Sequence, residues 1–101
     1  MIVNRRTFNI KSGRMEDAVQ LLKQEDAAER ERGGYSGPIR IYVSETGQFD
    51  RLAAEWEYEN LAMYEQGWAE WGARPTTPAF MEKWLTLTAE GGTNEIWNVP
   101  D

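Results

Sequence analysis

Aromatic and charged side chains carry most of this chain's capacity for chemistry. It has five tryptophans in 101 residues. Trp56, Tyr58, Tyr64, Trp68, Trp71 and Trp84 form one set, dense enough to line a pocket for a flat, apolar molecule. The same set would equally serve as a core and dimer interface built from large side chains, and both readings stand at this point. A buried tyrosine hydroxyl or indole N–H needs a partner, so polar groups must sit among these rings. Arg6, Arg40, Glu55 and Glu57 form a second set. It would hold a substrate carboxylate on arginine with a glutamate as base, or it would be an ion-pair network fixing sheet or dimer register. The second reading weighs more, because buried charges must be paired whatever their use. Glu55 and Glu57 are also spaced like a glycosidase carboxylate pair, but nothing else in the chain supports that chemistry.

What is missing excludes more. There is no cysteine and no histidine. Disulfides, thiolate or histidine zinc sites, proximal-histidine haem ligation and Ser-His-Asp catalysis all need a residue the chain lacks. Any proton transfer falls to Asp, Glu, Lys, Tyr or water. The glycine pairs Gly33-Gly34 and Gly91-Gly92 have the look of helix stops, not a phosphate loop. Glu25, Asp26, Glu29 and Glu31 are expected to form a solvated helix face, not a metal site, and calcium-loop spacing is absent. No metal and no cofactor is expected. The net charge is −6 and the basic residues are interleaved with acids, which argues against nucleic acid as a partner. No segment approaches a membrane span, and the start Met1–Arg6 lacks the apolar stretch of a signal peptide. A cytoplasmic protein is the expectation.

The elements that would position these residues follow from periodicity. Ile2–Ile10 alternates as a strand. Ser12 is a candidate cap for a helix from about Arg14 to Arg32, with Met15, Ala18, Val19 and Leu22 on its apolar face and its last turns projecting past the core. Asp26 and Arg30 form an i,i+4 pair. Pro38–Ser44 and Phe49–Glu57 read as a hairpin about Glu45–Gln48. Asn60 caps a helix carrying the aromatic stripe Leu61, Tyr64, Trp68 and Trp71, interrupted by Gly67. Thr77 and Pro78 open a third helix as cap and first residue, Gly91-Gly92 closes it, and Asn94–Val99 is a last strand.

The order β-α-β-β-α-α-β predicts an α+β, ferredoxin-like antiparallel sheet with helices on one face, as a single domain over residues 1–101. Its helix-free face mixes Phe49 and Ala53 with Arg51, Glu55 and Glu57, too apolar to be left wholly to water. A domain this small gains from burial elsewhere. A homodimer closing that face is the expected partner.

The run Leu52-Ala53-Ala54-Glu55-Trp56-Glu57-Tyr58 leading into Glu59-Asn60-Leu61-Ala62-Met63-Tyr64-Glu65, then Pro75-Thr76-Thr77-Pro78-Ala79-Phe80 before a terminal strand, resembles the dimeric α+β barrel superfamily. Within it the chain resembles NIPSNAP-type and antibiotic-biosynthesis monooxygenase-type domains over nearly its whole length, as a match of layout and not of strict motif. The resemblance implies a homodimer of two four-stranded sheets packed into a barrel, with a pocket between sheet and helices in each subunit. It embraces cofactor-independent monooxygenases, haem-degrading monooxygenases and muconolactone isomerases. The haem branch fits poorly, since its histidine has no counterpart here. The cofactor-independent oxygenases often place Asn, Trp, Tyr and Arg around an aromatic substrate, and this chain has those types without a positional match. The expectation is a protein binding a small apolar or aromatic molecule, as a cofactor-independent monooxygenase or isomerase. The alternative is a non-catalytic homodimeric binding or assembly module.

Overall fold

The computed structural model describes residues 1–100. The single-domain expectation runs to Asp101, which lies outside the described residues. The elements are β1 (Ile2–Ile10), α1 (Met15–Glu31), β2 (Arg40–Val43), β3 (Arg51–Tyr58), α2 (Leu61–Ala73), α3 (Thr77–Leu87) and β4 (Thr88–Asn98). The four strands form one antiparallel sheet in the order β2-β3-β1-β4. This is the ferredoxin-like α+β arrangement that the element order predicts.

Strand alternation divides the sheet into two chemically distinct faces. Asn4, Arg6, Phe8 and Ile10 on β1 share the helix-covered face with Leu52, Ala54, Trp56 and Tyr58 on β3. Ile10, Leu52 and Ala54 meet Ala18 and Leu22 of α1 and Trp84 and Leu87 of α3 in a buried core. Trp84, one of the six aromatic candidates, belongs to that core and is 6% exposed. The opposite face carries Arg5, Thr7, Ala53, Glu55 and Glu57, with Tyr42 and Trp97 on the outer strands.

Several local expectations are corrected. Ser12 does not cap α1. Arg14 occupies that position without a side-chain capping bond, and Glu16 and Asp17 supply the favourable charge at the helix start. Asn60 does cap α2, its side chain accepting from the Met63 N–H at 2.9 Å. Thr76 stands at the head of α3 in place of Thr77, whose hydroxyl instead donates to the Trp71 carbonyl and ties the two helices together.

Phe49 lies in the turn before β3 and is 93% exposed, so it contributes nothing to the helix-free face. Gly91-Gly92 does not close α3, which runs directly into β4 at Thr88. The two glycines form a bulge, where Glu90, Gly91 and Gly92 stand against Phe8 alone between the pairs Thr7–Thr93 and Asn9–Ala89. Gly92 has φ +112, and a Cβ there would lie 2.2 Å from the Thr7 carbonyl oxygen. No helix among the described residues is long and apolar enough to cross a membrane.

Candidate functional site

Beside the core, between β1, β3 and the helices, is a cavity of about 320 Å³. That is the lower end of the range of about 300–1,000 Å³ for small-molecule sites, enough for a body of one or two rings. Trp56 and Tyr58 reach it from β3, Trp68 and Trp71 from α2, and Trp84 from α3. Tyr64 is brought to the site but stays behind the wall, edge-on to Tyr58 at 5.4 Å and to Trp68 at 6.4 Å between ring centroids.

The wall is one continuous chain of rings. Trp56 meets Trp68 at 5.7 Å, Trp68 meets Trp71 at 5.5 Å and Trp71 meets Phe80 at 5.6 Å, all edge to face. Phe80 stacks on Trp84 at 6.0 Å, and Trp84 meets the edge of Phe8 at 4.9 Å. Such pairs contribute about 0.5–1.5 kcal/mol each beyond their buried area, so the rings hold their positions without a filled centre. Phe8 and Phe80 complete this chain but were not singled out from sequence. Their inward strand and helix positions are a signal for core and do not distinguish a cavity wall. Gly67 explains the interruption in the aromatic stripe. A Cβ there would lie 3.3 Å from the Tyr58 ring, so glycine lets α2 approach β3.

The polar set is split by strand parity. Only Arg6 faces the cavity. Its guanidinium carbon lies 3.9 Å from the centroid of the Trp68 ring, within cation–π range. Its Nε donates to the Asn4 side-chain oxygen at 3.2 Å. Asn4 is fully buried and donates in turn to the Asn94 side chain at 2.7 Å and the Glu95 carbonyl at 2.9 Å.

Arg40, Glu55 and Glu57 lie on the opposite face. Glu55 is 8% exposed and is held by Arg5, whose Nε donates to it at 2.6 Å, and by the Tyr42 hydroxyl at 3.1 Å. Neither Arg5 nor Tyr42 was a sequence candidate. The cross-strand register that places Arg5 opposite Glu55, and Tyr42 opposite Ala53 within diagonal reach of it, is a tertiary fact. Arg40 and Glu57 form a loose, exposed pair at 3.8 Å.

The acids of α1 correct a second expectation. Glu25, Asp26 and Glu29 line the cavity, and only Glu31 of the four is exposed. The last turns of α1 therefore close one end of the site instead of projecting past it. Glu25 accepts from the Trp71 indole N–H at 2.9 Å, Glu29 pairs with Arg74, and Asp26 lies 3.7 Å from Arg30. Arg30 also donates to the Ser36 hydroxyl at 2.8 Å, drawing the segment after α1 against the opening. No group of three acids comes together as a metal-binding set among the described residues.

Tyr58 completes the polar inventory. Burial pushes its hydroxyl pKa upward, the Tyr64 side chain adds to the rise, and Ser36, Arg6 and Arg30 partly offset it. The Tyr58 hydroxyl is therefore a proton-bearing donor at neutral pH.

This is the arrangement of a small ferredoxin-like α+β protein with a pocket between sheet and helices. The chain belongs to the NIPSNAP family, whose sequence profile matches residues 3–96. Among solved structures it is similar to an uncharacterised NIPSNAP domain protein from Burkholderia xenovorans, at a TM-score of 0.81 and 19% identity over 100% of this chain and 95% of that one. It is similar to a NIPSNAP family protein from Agrobacterium tumefaciens, at 0.80 and 22% identity over 99% and 93%. An antibiotic biosynthesis monooxygenase shares the fold more distantly, at 0.71 and 11% identity over 100% of both chains. No curated protein matches the chain in sequence.

Proposed function

We propose that the cavity binds a small apolar or aromatic molecule, and that its chemistry is cofactor-independent oxygenation or isomerisation. One observation carries the reading: a continuous aromatic wall lines one side of an open cavity, with a guanidinium and a protonated tyrosine on the same lining. A core serving packing alone would be filled at this position. The residue types around it, with Asn4, Arg6, Tyr58 and Trp68 linked by contact or shared cavity, are those the monooxygenase-type resemblance implies. Fold likeness alone would not support a reaction.

Tryptophan emission should shift or quench on titration with members of a panel of quinols, lactones and fatty acids. Emission unchanged across the whole panel would remove the binding reading. Oxygen uptake with a bound quinol and no added cofactor tests the oxygenase arm, and product analysis with a bound lactone tests the isomerase arm.

We also propose that the helix-free face closes against a second copy. Glu55, Arg5 and Tyr42 form a hydrogen-bonded group on a face no helix covers, beside Trp97, which is 55% exposed. This group also favours the second reading, a non-catalytic homodimeric module, because it serves association without any chemistry. Light scattering at micromolar concentration should give twice the chain mass, and a monomer would overturn the barrel. The cytoplasmic location belongs to the same proposal and is supported by the absence of cysteine.

A further inference from the structure

The cavity's cation is held but not neutralised. Arg6 is the only Lys or Arg in the cavity lining. Asn4 takes its Nε and Trp68 lies against its guanidinium carbon. Among the described residues no carboxylate pairs with Arg6, and its two terminal nitrogens have no protein acceptor. Neither terminal nitrogen is among the buried polar atoms left without a partner, so both are open to an incoming acceptor.

Of the three cavity carboxylates, Glu25 and Glu29 are engaged elsewhere, by Trp71 and Arg74, and Asp26 lies 3.7 Å from Arg30, a charge pair in which the Asp26 Oδ1 has no hydrogen bond. They lie on α1, while Arg6 projects from β1 on the sheet side. The cavity is therefore polarised, with a paired acidic wall and an unpaired cationic floor. The Asn94–Asn4–Arg6 chain holds that cation to a rigid central strand and so pre-organises it.

We propose that the pocket selects an anionic ligand: a one- or two-ring apolar body bearing a single carboxylate, received by the terminal nitrogens of Arg6. This rests on the pocket reading above and adds the charge of the ligand to it. The planar fork of arginine matches two carboxylate oxygens, which an ammonium cannot do. The Tyr58 hydroxyl, kept protonated and influenced by Arg6, is a further donor on the same lining.

The test is calorimetric titration of the full chain with 2-naphthoate and with 2-naphthalenemethanol, its neutral counterpart of similar size. The wild-type chain should bind the carboxylate about tenfold or more tightly than the alcohol, the scale of a charge-assisted pair. In Arg6→Gln that ratio should collapse toward one, and Arg6→Lys should recover only part of it. Equal affinity of the wild-type chain for both molecules overturns the anion proposal and leaves the pocket reading standing. Binding of neither overturns both. The wild-type comparison needs no variant to fold, so a poorly folding Arg6→Gln does not remove the test.

Discussion

Arg6 and Trp68 face each other across the candidate site, the guanidinium carbon 3.9 Å from the indole centroid. One comes from the central strand β1 and the other from α2, a helix with no fully buried residue of its own. This contact and its aromatic neighbours hold α2 over the cavity. Trp68 also carries a buried indole N–H with no acceptor, whereas the Trp71 N–H donates to Glu25.

That asymmetry separates two similar substitutions. Trp71→Phe removes a hydrogen bond to a charged group and leaves Glu25 short of a donor, whereas Trp68→Phe removes an N–H that has no partner. Trp71→Phe should therefore cost about 1–3 kcal/mol more than Trp68→Phe. Urea denaturation of the two variants beside the wild-type chain measures the difference.

Gly92 and Gly47 both have positive φ, at +112 and +91, but differ in surroundings. Nothing lies within 4 Å of a Cβ at Gly47, so Gly47→Ala should cost about 1 kcal/mol for backbone strain alone. At Gly92 the new carbon would meet the Thr7 carbonyl of the neighbouring strand, and the β1–β4 register would have to move. Gly92→Ala should cost several-fold more, about 3 kcal/mol or above, and thermal melts of the pair will show the gap.

On the helix-free face, Glu55→Ala leaves Arg5 and the Tyr42 hydroxyl without their shared acceptor. The Arg5 side chain is 48% exposed, so solvent screening limits the loss to about 1–2 kcal/mol in the isolated chain. In a dimer covering this face the loss should grow. The melting temperature should then rise with protein concentration in the wild-type chain and depend on it less in the variant.

Tyr58 sets an alkaline limit. Its pKa is raised by burial in the folded chain and lies at the ordinary value of about 10 in the unfolded one. Above pH 10 the unfolded state releases this proton first, so stability is intact below that pH and falls as pH rises toward the folded pKa. Tyr58→Phe should show a shallower loss over that window. Denaturant titrations at increasing alkaline pH will compare the slopes, and difference absorption of tyrosinate should show one late-titrating tyrosine in the wild-type chain.

Much of the architecture was legible because it is local. The alternation from Ile2 to Ile10, the apolar face at Met15, Ala18, Val19 and Leu22, and the Asn60 cap each depend on neighbours within a few residues. The errors fall where a local signal had a distant competitor. Thr77 has a cap's chemistry, but its hydroxyl goes to the Trp71 carbonyl of the preceding helix. Gly91-Gly92 resembles a helix stop, yet the pair serves a bulge against β1. Glu25, Asp26 and Glu29 resemble a solvated face, and it takes Trp71 of α2 and Arg74 just beyond it to turn Glu25 and Glu29 into a cavity wall, while Asp26 keeps the local partner Arg30.

By itself, then, the sequence determined the element order, the ferredoxin-like class and the aromatic composition of one region, since periodicity and residue type are properties of a chain read in line. Tertiary structure alone decided that five of the six aromatic candidates line a cavity while Tyr64 stands behind them. It also decided that Arg6 parts from Arg40, Glu55 and Glu57. The physical reason is strand parity and register: a side chain's face follows from its position in the pleat, but what it meets there is set by strands and helices far away in sequence.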